Sequence, residues 1–149
     1  MSYADLRRGR YSEPGRAYFV TTVTAARRPV FVDFRTARAV IAQMRALDAS
    51  GAIESLAWVL MPDHLHWLLA LRGDATLAQL MHQLKGSTAR EVNRLQRSRG
   101  TLWQRAYHDH ALRDDEDVQA IARYIVANPL RAGLVRRLGD YPHWDATWL

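Results

Sequence analysis

The sequence contains no cysteine, and only one of its 21 basic residues, Lys85, is a lysine. Without cysteine there are no disulfide staples and no thiolate zinc sites, and a reducing cytoplasm is the natural compartment. Long apolar runs are missing too. The longest, Leu56 to Met61, is far too short to cross a bilayer, and Met1 to Arg10 carries charges but no apolar stretch of a secretory signal. There is no internal repeat, low-complexity tract, linker or glycine-rich phosphate-cradling loop. These absences lead us to expect one soluble, cytoplasmic domain over residues 1–149, with a basic arm over 1–16, a tail over 136–149 and no membrane partner. A chain of 149 residues can bury a core without staples.

What the sequence does have is positive charge: +6 formally, with a pI near 10.3. That balance favours a polyanionic partner. Arginine's planar fork suits phosphate and stacks on bases, although a GC-rich genome would produce the same arginine bias.

Residues 17–24 (AYFVTTVT) are aromatic and β-branched and read as a strand. Over 35–49, Ala39, Ile41, Met44 and Leu47 recur at near-helical spacing until Gly51. Residues 52–61 and 64–71 read as two strands joined by Pro62-Asp63, and 76–97 as a second helix. A strand is expected over 102–112. A third helix, loaded with acid at Asp114 to Asp117, is expected to run to about Asn128, before Pro129. This order gives an α+β, ferredoxin-like sandwich, with helices on one face of an antiparallel sheet and a C-terminal helix added.

His64 and His66 begin a strand with Leu65 between them, so their side chains share one face about 7 Å apart along the chain. Two imidazoles so placed can converge on a metal, or can be ordinary surface or core histidines. With no thiolates available, two nitrogens plus oxygen donors suit a harder ion such as Mg²⁺ or Mn²⁺. On the third helix, Ile121, Tyr124, Ile125 and Asn128 follow the spacing of one broad face, which puts Tyr124 beside an apolar stripe facing the protein body. A core tyrosine is the plain reading of that position. Asn128 before Pro129 reads as an N-cap for the turn closed by Gly133.

Several segments together carry a resemblance. Met61-Pro-Asp-His-Leu-His66 resembles the HUH motif (histidine, hydrophobic, histidine) of single-tyrosine transposases. Leu84-Lys85-Gly86-Ser87 with Arg90 and Asn93 resembles the helix that follows it in that family. Leu102-Trp103-Gln104, Asp109-His110, Arg123-Tyr124-Ile125-Val126-Ala127-Asn128-Pro129, Ala132-Gly133-Leu134-Val135 and Asp140-Tyr141-Pro142-His143-Trp144 resemble the REP-associated branch.

The resemblance implies a transposase-like endonuclease and strand transferase. It would bind single-stranded hairpins of palindromic repeats and cleave beside them, with Tyr124 as nucleophile, a 5′-phosphotyrosine intermediate, and a divalent Mg²⁺ or Mn²⁺ held by His64 and His66. Insertion-sequence relatives place a glutamine where this chain has Asn128, so Asn128 is the candidate third ligand, one methylene shorter. The REP-associated branch implies a monomer. Arg7, Arg8, Arg10 and Arg16 of the arm, with Lys85 and Arg90, are the expected DNA contacts, and Trp67, Trp103 and Tyr107 are candidates for base stacking or for the core. The alternatives are a non-catalytic hairpin-binding module of the same fold, a phosphodiesterase that activates water, and a replication or conjugation nickase.

Overall fold

The computed structural model describes residues 16–113 and 116–147. Among these, five strands form one sheet: β1 (Ala17–Val23), β2 (Ile53–Met61), β3 (His64–Leu71), β4 (His108–Ala111) and β5 (Trp144–Ala146), in the order β4-β1-β3-β2-β5. Every neighbouring pair is antiparallel. The helices are α1 (Phe34–Ala49), α2 (Leu77–Gln96), α3 (Val118–Val126) and the single-turn α4 (Asn128–Arg131). Strand β3 is inserted between β1 and β2, and β1 between β3 and β4, the split βαβ arrangement of a ferredoxin-like α+β sandwich.

Strand alternation sorts the core into two layers. Tyr18, Val20, Trp58, Leu60, Leu65, Trp67 and Leu69 face α1 and α2. Ala17, Val59, Met61, Leu68 and Ala70 face the other way, against Val118, Ala122, Ile125 and Val126 of α3. The first two helices therefore share one face, as expected, and the tyrosine helix covers part of the opposite face.

Local chemistry explains the boundaries. Asp33 caps α1 by accepting from the amide of Arg35, and Gly51 follows its end at φ +83°, a conformation natural to glycine. The buried stripe of α1 is Ala37, Val40, Ile41, Met44 and Leu47, so Ala39 lies to its side. Thr76 and Gln79 form a reciprocal capping box at the start of α2.

Three expectations need correction. The strand expected over 102–112 is regular only at His108–Ala111, because Leu102 and Trp103 turn into the α1/α2 core. There Trp103 meets Phe31 and donates to Thr88, touching the sheet through a lone bridge to Thr24. The third helix starts at Val118 with Asp117 as its cap, and 114–115 lie outside the described residues. Asn128 caps nothing: Ala127 precedes α4, and Asn128 is its first residue with no capping side-chain bond. Pro129 has no N–H to continue the bonding of α3, so the chain restarts as α4.

The tail supplies an element that was not expected. Strand β5 lies beside β2, pairing Trp144 with Val59 and Ala146 with Ala57. The Tyr141 hydroxyl donates to the carbonyl of Leu60, whose amide donates in turn to the carbonyl of His143.

Candidate active site

The two-residue turn Pro62-Asp63 sets the register Met61↔His64, which fixes the parity of everything that follows on β3. Leu65 and Trp67 enter the α1/α2 core, while His64 and His66 emerge on the α3 face. Their ring centroids are 4.7 Å apart with planes at 75°. That is closer than the spacing along the strand suggests, because the rings lean together.

Each imidazole is held from behind. The Asp63 carboxylate lies 2.7 Å from His64 Nδ1, and the Thr21 hydroxyl on β1 lies 2.8 Å from His66 Nδ1. With Nδ1 engaged, each ring keeps Nε2 for another partner, an arrangement typical of metal-binding histidines. Phe19 meets His66 edge-on at 5.4 Å. Burial, assisted by the nearby charges of His64 and Arg131, lowers the His66 pKa to about 4 and favours the neutral imidazole that a metal requires.

Asp63 is itself gripped by Arg27, whose Nε lies 3.1 Å from Oδ2. Partial burial works to raise the Asp63 carboxyl, but the hydrogen bonds and charges of His64 and Arg27 outweigh it and hold the pKa below the ordinary value. Arg27 reaches Asp63 from a loop in which Ala26 and Arg27 both have left-handed backbone, φ 54° and 50°. Such backbone in non-glycine residues costs on the order of 1–2 kcal/mol each.

Tyr124 lies on the flank of α3 rather than in its apolar stripe and is 57% exposed, so it is not a core tyrosine. The Arg131 guanidinium covers its ring, 4.0 Å from the centroid. Arg131 is not among the sequence candidates; it lies seven residues on, in the single-turn α4 beyond the interruption at Pro129. Asn128 is half-buried, and its side chain is in no hydrogen bond among the described residues. Nor do the described residues contain a cluster of three histidines or carboxylates, so the nitrogen pair has no ready-made third ligand of those types.

The remaining candidates separate by location. Arg7, Arg8 and Arg10 fall outside the described residues. Arg16 is half-buried at the start of β1, and its carbonyl accepts from Leu71. Lys85 Nζ donates to the carbonyls of Gln104 and Arg105 at 2.7 and 2.9 Å, with the Tyr107 ring 5.8 Å away. It pins the 101–107 segment to α2. Between them lies an open groove of about 520 Å³, lined in part by His82, Gly86, Trp103, Arg105 and Tyr107. Exposed Arg90 arches over Gly86, where an added Cβ would come within 3.4 Å of Nη1. Trp67 and Trp103 are core residues with their indole N–H groups bonded to Ser55 and Thr88, which leaves Tyr107 as the partly exposed ring of the three. His110 bonds to both Glu116 oxygens just before α3, at 2.8 and 3.0 Å.

Residues 15–128 match the family described as Transposase IS200 like. Over 100 residues the chain is 31% identical to a Haemophilus influenzae protein provisionally named a REP-associated tyrosine transposase, covering 60% of this chain and 57% of that protein. The REP-associated tyrosine transposase of Escherichia coli (strain K12) is 28% identical over 87 residues, 58% of this chain and 50% of that one. The matched stretches thus span about half the length of those curated relatives. A solved REP-associated tyrosine transposase bound to a REP hairpin superposes with a TM-score of 0.72, over 92% of this chain and 80% of that one, at 24% identity. At that identity the likeness shows a shared fold.

Proposed function

Because the chain belongs to the IS200-like transposase family, we propose that it cleaves and rejoins single-stranded DNA beside repeat hairpins, with Tyr124 as the nucleophile. The observation that carries this reading is the pairing of an exposed tyrosine with two back-supported imidazoles on one face of the sheet. In the proposed step the phenol oxygen bonds to phosphorus while the bond to the 3′-oxygen breaks. The phenol proton leaves to solvent, and the departing 3′-oxygen takes one up. The phosphoester is kept as a 5′-phosphotyrosine, so a 3′-hydroxyl can reverse the step without ATP.

His64 and His66 fit a divalent ion because both are neutral-capable nitrogen donors with their second nitrogens already anchored. Asn128 is the candidate oxygen donor. A bound Mg²⁺ or Mn²⁺ would supply Lewis-acid polarisation of a phosphate oxygen. Asp63 and Thr21 hold the rings in place, and burial around His66 keeps water from competing for it. Arg16, Arg90 and the arginines of the arm are suited to phosphate contact. Lys85 supports the groove from within.

A second reading, a hairpin-binding module without chemistry, is favoured by one observation: Asn128 is shorter than glutamine, and among the described residues no third histidine or carboxylate replaces it. The deciding experiment incubates end-labelled single-stranded hairpins from beside the gene with the protein and Mn²⁺ or Mg²⁺, in parallel with Tyr124→Phe. A metal-dependent protein–DNA adduct that is absent from the variant supports transesterification. Binding without cleavage on every hairpin and metal supports the module, and cleavage that survives Tyr124→Phe makes water the nucleophile.

A further inference from the structure

We propose that Arg131 is a catalytic residue whose guanidinium grips the scissile phosphate between the Tyr124 hydroxyl and the histidine pair. The proposal rests on the functional reading above and deepens it.

The first support is position. The guanidinium stacks on the Tyr124 ring at 4.0 Å, although seven residues and the break before α4 separate the two in the chain. A phosphate under in-line attack must lie beside the phenol oxygen. A cation on the same ring is within reach of it. The second is availability. Arg27, Arg72, Arg94, Arg113 and Arg137 each have a carboxylate partner, whereas Arg131 has none among the described residues. A guanidinium held over a ring still has N–H donors to offer, in the fork that matches two phosphate oxygens. The third is location: α3, from which α4 follows, packs against β2 and β3 on the sheet face from which His64 and His66 emerge.

The chemistry needs a group there. As the phenol oxygen bonds to phosphorus and the bond to the 3′-oxygen breaks, negative charge builds on the non-bridging oxygens. Preorganised donors aimed at such oxygens are worth roughly 100- to 1000-fold in rate. A merely structural Arg131, one that only braces the tyrosine ring, would be replaceable by an uncharged chain of similar length. Arg131→Met separates the two roles because it keeps contact with the ring and removes both charge and donors.

The test measures single-turnover adduct formation by the full chain, with end-labelled single-stranded hairpins from beside its gene, saturating DNA and Mn²⁺. Hairpin affinity is measured by filter binding on the same samples, and folding by circular dichroism. We expect Arg131→Met to slow adduct formation roughly 100- to 1000-fold, with hairpin affinity within about threefold of the parent. Arg131→Gln should give the same result should the methionine variant not fold. Adduct formation at the parent rate in either folded variant overturns the proposal, as does a loss confined to affinity, which would make Arg131 a binding residue. A parent chain that forms no adduct removes the functional reading and this proposal together, whereas a fast variant removes this proposal alone.

Discussion

Thr21 Oγ1 lies 2.8 Å from Nδ1 of His66, directly across the ladder between β1 and β3. The hydroxyl sets which imidazole nitrogen faces outward. Thr21→Val keeps the shape and removes the bond. Loss of such a partner typically costs 10- to 100-fold in metal affinity. We therefore expect the Mn²⁺ concentration for half-maximal cleavage to rise by about that factor, with hairpin affinity unchanged. An unchanged Mn²⁺ titration would show that the threonine has no part in ordering the site.

Lys85 should act through the protein and Arg90 through DNA. Lys85→Met removes two charge-assisted bonds to the carbonyls of Gln104 and Arg105 and should cost about 1–2 kcal/mol in urea unfolding. The salt dependence of hairpin binding should stay the same. Arg90→Ala should leave stability alone and flatten the slope of log affinity against log salt by about one contact. The opposite pattern would exchange the two roles.

Ala26 occupies left-handed backbone at φ 54°. Glycine adopts that conformation without a Cβ penalty, so Ala26→Gly should stabilise the fold by about 0.5–1 kcal/mol despite its greater unfolded freedom. A drop in the urea midpoint would mean that the methyl group is worth more than the strain it causes.

His143 is buried between the Phe34 and Tyr141 rings, with no hydrogen-bond partner for Nδ1 among the described residues. Burial first, and then the charge of Arg38 on α1, lowers its pKa from the ordinary value. Between the lowered folded value and about 6.5 the unfolded chain binds more protons. This residue's contribution is therefore complete above pH 6.5 and is lost as pH falls below it. His143→Phe should give a shallower fall in unfolding free energy between pH 7.5 and 5 than the parent. Equal slopes would mean that His143 does not titrate on unfolding.

Much of the scaffold was legible because its signals are local. The aromatic and β-branched run AYFVTTV, the Pro62-Asp63 turn and the stop at Gly51 each act within a few residues. The histidine pair was legible for the same reason, since a spacing of two on a strand decides its face. Trp103 was not, because whether an aromatic continues a strand or turns into a core depends on Phe31 and Thr88, which are far away in sequence. Strand β5 is three residues long, too short for any pattern, and forms because β2 offers it an edge. Tyr124 does lie beside the apolar stripe, which runs through Val118, Ala122 and Ile125, but it is exposed rather than turned to the protein body. Thr21 was invisible as a partner because it meets His66 across the sheet, and Arg131 because Pro129 interrupts the helix between it and Tyr124.

The register of the β2–β3 hairpin limits how the chain can vary. Thr21 and Val23 on β1, and His64 and His66 on β3, reach the same face only because their positions along each strand agree in parity. Deleting Leu65 would exchange the sides of the residues after it, sending the Trp67 indole outward and the His66 imidazole into the oily layer, while deleting two would preserve the sides and shorten the strand. Lineages of this fold can therefore trade side chains freely along these strands, while insertions and deletions within them should survive in even numbers and single ones should collect in the loops.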